Sequence, residues 1–257
     1  MACQDRDVPT HLSFEQHLAG LRDATVMLAR HASVAGLDVA VPSCPEWTVR
    51  RLIGHQGRVH RWTSAALRGE RIDKEATEKA GRSSADPVEW LRDGAISLVT
   101  SLVALPEDAE AMVFLADAPP PRLFWVRRQH HETTMHAVDA LAASLGRLPR
   151  AAETWIGVDA ALDGIDELLM GFVPREVSPL RSGSGAEPMT IAIRTPEASY
   201  SWTVLVSDQA PVVTRHDGLA DGDLVIEAPA VALYLALWHR TDEVVSDALA
   251  AWQPMVV

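Results

Sequence analysis

The chain has 257 residues, enough for one large or two ordinary domains with a sizeable core. Hydrophobic residues make up 47% and charged residues 23%, the balance of a globular protein in water. A net charge of -12 argues against a nucleic-acid partner, because phosphate backbones need a cationic face. The opening MACQDRDVPTHLSF has no basic region followed by an apolar core, and no apolar run reaches the length of a membrane span. Cys3 and Cys44 are the only cysteines, which excludes a disulfide framework and makes a reducing cytoplasm the expected location. Cys44 stands between Ser43 and Pro45 and reads as structural.

From about Ser13 to Ala35, apolar residues recur at helical spacing (Leu18, Leu21, Ala24, Val26, Leu28), and Gly36 is the stop. Pro42 to Thr48 reads as a loop and turn. A second helix runs from about Thr48 to Arg68 and carries Val49, Leu52, Ile53, Val59 and Trp62. Gly69 to Ala85 is polar and charged and reads as a linker. Asp86 and Pro87 open a third helix, a cap followed by proline in the first turn, and Pro106 ends it. Pro119 to Pro121 stiffen the approach to a fourth helix, Trp125 to Ser144, which closes near Gly146. Thr154 to Met170 predicts another helix.

Four long helices in series predict an up-and-down bundle, in which sites are built from inward-facing residues. Pro174 to Glu187 is rich in Ser, Gly and Pro and reads as the domain boundary. Beyond it the pattern has period two, with strands at Met189 to Arg194, Tyr200 to Val206, Val212 to Arg215 and Leu224 to Glu227. Ala230 to Trp238 and Ser246 to Trp252 read as helices. The expected fold class is therefore α+β, with a four-helix bundle over residues 1–175 and a small mixed αβ domain over residues 180–257.

Within the fourth helix, Glu132 and His136 are four apart and share a face, so a carboxylate and an imidazole can meet one divalent metal. His131 lies five before His136, about 140° around the helix at roughly 100° per residue. The pattern is therefore not that of the zinc proteases, whose two histidines are four apart. The same Glu/His spacing recurs at His11 and Glu15 and at His239 and Glu243. Taken alone, the pair equally describes a surface hydrogen bond worth a few tenths of a kcal/mol. A third ligand must come from elsewhere, and the second helix offers His55, with His60 five residues further on and off its face.

The stretch from Ser43 to Trp62, together with RRQHHETTMHAVDA, resembles the mycothiol-dependent maleylpyruvate isomerase family, the actinobacterial branch of the DinB-like superfamily. The resemblance rests on the Cys44–Pro45 loop with Trp47, a histidine inside the following helix, a Glu and His four apart, and a small C-terminal αβ domain. It implies a DinB-like bundle followed by a sterol carrier protein-like domain. It also implies a zinc or other divalent ion held by His55, Glu132 and His136. His60, His130 and His131 are then expected at the surface or as partners of the ligands. Three protein ligands leave open positions, as in a catalytic zinc site, and in this family an open position takes the thiol of mycothiol. The implied activity is isomerisation or thiol transfer on a small electrophile, with Arg240 as the functional cation of the C-terminal domain.

A dicarboxylate substrate calls for cations. Arg51, Arg58 and Arg61 lie near His55, with Arg58 nearest along the helix as the substrate-binding candidate, and Arg127 and Arg128 precede Glu132. Asp139 is one turn from His136 and either orients its ring or faces solvent. The same scaffold also admits a metal-dependent hydrolase or cyclase that ignores mycothiol, or a non-enzymatic binding protein. The expected partners are a small molecule and a low-molecular-weight thiol, with no nucleic acid or membrane, for a monomer or homodimer.

Overall fold

The computed structural model describes residues 12–252; Cys3 and His11 lie outside them. The chain forms two compact units. One comprises Ser13–Phe114 and Ala118–Thr154, and the other holds Leu115–Asp117 and the chain from Trp155. Among the described residues, no helix is long and apolar enough to cross a membrane.

The first unit is helical. Helix α1 (Phe14–Ala35) begins at a capping box, in which Ser13 and Gln16 satisfy each other's backbone donors, and ends at Gly36, whose φ of 91° favours glycine. Its inward residues, Leu18, Leu21, Ala24, Thr25, Leu28, Ala29 and Ala32, follow the spacing of three and four that makes one face. Helices α2 (Val49–Leu67) and α4 (Pro87–Ala104) pack on each other, and α1 packs along α5 (Pro121–Leu145).

Two elements escaped the sequence reading. The stretch read as a loop and turn, Pro42 to Thr48, holds β2 (Cys44–Thr48), which pairs with β1 (Ala40–Val41) just before it in a short antiparallel hairpin. The supposed linker holds α3 (Lys74–Arg82), capped by Asp73 and packed on α2.

The second unit is built on a four-stranded sheet in the order β5–β4–β3–β6. Strands β3 (Met189–Arg194), β4 (Ser201–Val206) and β5 (Val212–His216) form antiparallel ladders, whereas β6 (Leu224–Glu227) runs parallel to β3. Helix α6 (Val158–Asp166) continues into a π-helical turn at Glu167–Phe172 and packs on α7 (Ala230–Leu237). A short α8 (Asp247–Ala251) follows. Helix α6 thus lies with the sheet, although it precedes the 174–187 stretch read as the boundary. Gly164 permits the packing, because a Cβ there would stand 2.4 Å from the Tyr234 ring.

Asp166 ties α6 to the sheet. Its buried carboxylate accepts from Trp202 Nε1 at 3.1 Å and from Arg215 Nε and Nη2 at 2.6 and 2.7 Å. Removing it leaves a buried indole N–H without its acceptor and Arg215 with Asp117 alone at 2.9 Å, a loss of about 2 kcal/mol. Asp166→Ala should therefore lower the urea midpoint followed by tryptophan fluorescence, and Asp166→Asn should fall between. An unchanged midpoint for Asp166→Ala would separate this pair from the stability of the unit.

Candidate metal centre

Helix α5 is buried along nearly its whole length, from Phe124 to Ala143, with His136 part-exposed. Its run RRQHHETT, residues 127–134, is a string of polar and charged side chains that are all buried. Polar groups taken out of water must find partners, and charged ones must find opposite charge. The partners on one face of α5 form a ladder.

Residues 128, 132, 136 and 139 are spaced four, four and three, which stacks them on one face. Arg128 Nη2 donates to Glu132 Oε2 at 3.0 Å. Glu132 Oε1 lies 3.5 Å from His136 Nε2. His136 Nδ1 lies 3.0 Å from Asp139 Oδ2, and Ser43 Oγ donates to Asp139 Oδ1 at 2.5 Å. Each anion thus sits between donors, and each ring or guanidinium faces a carboxylate.

His55 reaches this ladder from α2, which Thr48 caps at its first turn. Its Nε2 is 4.0 Å from the same Oε1 of Glu132, and its ring meets that of His136 edge to face at 5.1 Å between centroids. Trp47, from β2, lies against both imidazoles, with ring centroids at 4.8 and 6.2 Å, and the Arg51 guanidinium stands over the Trp47 ring at 4.9 Å. One donor atom from each of His55, Glu132 and His136 lies within 4.8 Å of the other two.

The two imidazoles are tuned in opposite directions. Burial, then the neighbouring His136 and Arg58, lowers the His55 pKa to about 3, so this ring is neutral. Burial also disfavours charge on His136, but hydrogen bonds to Asp139 and Glu132 outweigh it and raise its pKa to about 9. Burial likewise disfavours ionised Glu132, yet His136 and Arg128 hold it well below the usual carboxylate range. The centre without metal therefore holds a proton on His136 where a cation would otherwise bind.

The donor set fits a divalent ion. Two imidazole nitrogens and one carboxylate oxygen converge, and Asp139 fixes the His136 tautomer that leaves Nε2 facing inward. His55 has both kinds of neighbour at Nδ1. Arg58 Nη2 donates to it at 3.0 Å, and Glu78 Oε2 stands 3.9 Å away as an acceptor. The Arg58 bond makes Nδ1 an acceptor, so ligation through Nε2 requires Arg58 to release Nδ1 and Nδ1 to take the ring proton.

Several sequence expectations change here. Arg128 is buried on Glu132 and orients the carboxylate. Arg58 lies against His55 and also 3.5 Å from Glu78 Oε2. His60 is fully buried rather than superficial, bound to Gln56 at 2.9 Å and to Thr133 at 3.0 Å, and burial lowers its pKa to about 3. His130 and His131 are buried as well. Asp139 orients His136, one of the two roles left open for it. Arg240 follows α7 in the other unit, where its Nη1 donates to the Trp238 carbonyl at 2.6 Å. Glu78 and Ser43 carried no signal in the sequence.

Residues 18–141 match the family model described as "Mycothiol maleylpyruvate isomerase N-terminal domain". The match runs from α1 into α5 and includes His55, Glu132, His136 and Asp139. No curated protein matches the chain. Two solved structures share the fold, each with a TM-score of 0.61 and covering 92% of this chain and 94% of the other. One is a crystal structure of the mycothiol-dependent maleylpyruvate isomerase, 17% identical, and the other is a histidine-to-alanine mutant, 15% identical.

The proton on His136 gives a signed pH dependence. A folded-state pKa raised above the ordinary value near 6.5 stabilises the metal-free protein fully below that value. The contribution is lost as pH rises through about 9. Histidine NMR of metal-free protein should show His136 titrating near 9, and Asp139→Asn should move it downward. A ring titrating at 6.5 in both proteins would refute the ladder's charge pattern.

Proposed function

We propose that the protein is a zinc-dependent enzyme that uses mycothiol to isomerise a small anionic electrophile about a double bond, or to add the thiol to it. The convergence of His55 Nε2, Glu132 Oε1 and His136 Nε2 on one point carries this reading. The family-model match over residues 18–141 and the likeness to a mycothiol-dependent maleylpyruvate isomerase support the choice of thiol and substrate class.

A divalent ion at the triad would supply Lewis acidity that brings a bound thiol from a pKa of about 8.5 to the thiolate at neutral pH. The chain's own residues prepare the triad for that role. Arg128 holds one carboxylate oxygen of Glu132, which leaves Oε1 toward the two imidazoles. Asp139 keeps the His136 Nδ1–H, and Ser43 fixes Asp139 in turn. Trp47 covers the rings on one side and keeps water from them. Arg58, beside His55, is the proposed binding group for a substrate carboxylate. Arg240 is assigned the catalytic contact with the substrate on the family resemblance alone.

Elemental analysis should show that His55→Ala, Glu132→Ala and His136→Ala each cost the protein one ion per chain. Full occupancy in any two of them removes the site. Cobalt-substituted protein should develop a sulfur-to-metal charge-transfer band when mycothiol is added, absent in Glu132→Ala. Activity undiminished without any thiol, together with no such band, would replace this function by metal-dependent hydrolysis.

A further inference from the structure

A second group of metal-ligating side chains lies elsewhere along α5. His17 of α1 and His130 and His131 of α5 are 1%, 6% and 2% exposed, and one ring nitrogen of each lies within 4.8 Å of the other two. The Nδ1 atoms of His17 and His130 are 3.1 Å apart. The His17 ring meets the other two edge to face at 5.4 and 5.8 Å, and His130 and His131 are stacked at 4.9 Å.

The helix crossing is shaped around these rings. Gly20 lies three residues beyond His17, and a Cβ there would stand 2.2 Å from His130 Nε2. Helix α1 thus omits a side chain where α5 inserts an imidazole. Two imidazole nitrogens at about 2.05 Å from a tetrahedral ion stand roughly 3.3 Å apart, near the separation that His17 and His130 already have. Three imidazoles without a carboxylate or thiolate suit zinc, cobalt, nickel or copper and are poor ligands for calcium or magnesium, which take oxygen.

We infer that His17, His130 and His131 form a second divalent transition-metal site, which pins α1 to α5. It takes no ligand from His55, Glu132 or His136, and it stands whether or not those three hold an ion. Three neutral ligands leave the dication's charge uncompensated, so its fourth position takes an anion or a water that gives up its proton.

The test uses full-length protein without a histidine tag, stripped of metal and titrated with cobalt(II). Wild type should bind two ions per chain, and Glu132→Ala/His136→Ala should keep one, with the visible d–d absorption of a tetrahedral site. His17→Leu should bind one, and the triple variant none. Zinc should also raise the Tm of Glu132→Ala/His136→Ala. No ion bound by Glu132→Ala/His136→Ala, or an ion that survives His17→Leu in that background, overturns the second site and leaves the first untouched. A wild type that binds one ion, lost with His17→Leu and kept in Glu132→Ala/His136→Ala, overturns the first and keeps the second. If His17→Leu fails to fold, His17→Gln replaces it: two ions in wild type and one in that variant uphold the second site, and an unchanged stoichiometry refutes it.

Discussion

The structure depends on the burial of charged and polar side chains along α5. Stranding one such charge costs several kcal/mol, so each must be matched by a partner fixed in direction as well as distance. The ladder from Arg128 through Glu132, His136 and Asp139 to Ser43 meets that demand with alternating sign. Helix α2 is set so that His55 faces Glu132, and the β1–β2 hairpin so that Ser43 and Trp47 close the end. The scaffold and the site are therefore one set of constraints, and loosening either exposes an unpaired ion.

The same burial explains what was legible in the sequence. Helices α1, α2 and α4 announce themselves through one apolar face each, and their bounds fall within a residue or two of the reading. Spacing and resemblance point to His55, Glu132 and His136 as candidate ligands, and the structure brings the three side chains together. Helix α5 deceived because a helix enclosed on all sides has no polar face to contrast with an apolar one. His130, His131 and the arginines looked like surface groups for that reason. Helix α3 was invisible for the opposite one: Gly81 is its only buried residue, so it shows no stripe, and Glu78 with it. Strand β1 has two residues, too few for any periodicity.

A metal ion at this centre would compete with a proton for the same atoms. His55 is kept neutral by burial, whereas His136 is kept charged by two carboxylates. One ring is ready to ligate at neutral pH and the other must first give up a proton. Under the proposed function that asymmetry would make metal uptake a proton exchange, with Asp139 setting its cost. Helix α5 also places His130 and His131 immediately before Glu132, so rotation of one helix would disturb both histidine clusters together.

The division of labour between helix and hairpin bears on how such a centre diverges. The atoms that grip an ion stand on long helices, where substitution disturbs a core. The groups that set their tautomer and shield them, Ser43 and Trp47, stand on or beside a five-residue strand whose residues are mostly part-exposed. Its exposed positions Pro45 and Glu46, beside Ser43 and Trp47, can change at little penalty to folding. Drift there would alter acidity and access first, leaving the ligands in place. Descendants of such a protein could acquire new chemistry through a few changes in one exposed segment, while their inherited grip on the ion stayed constant.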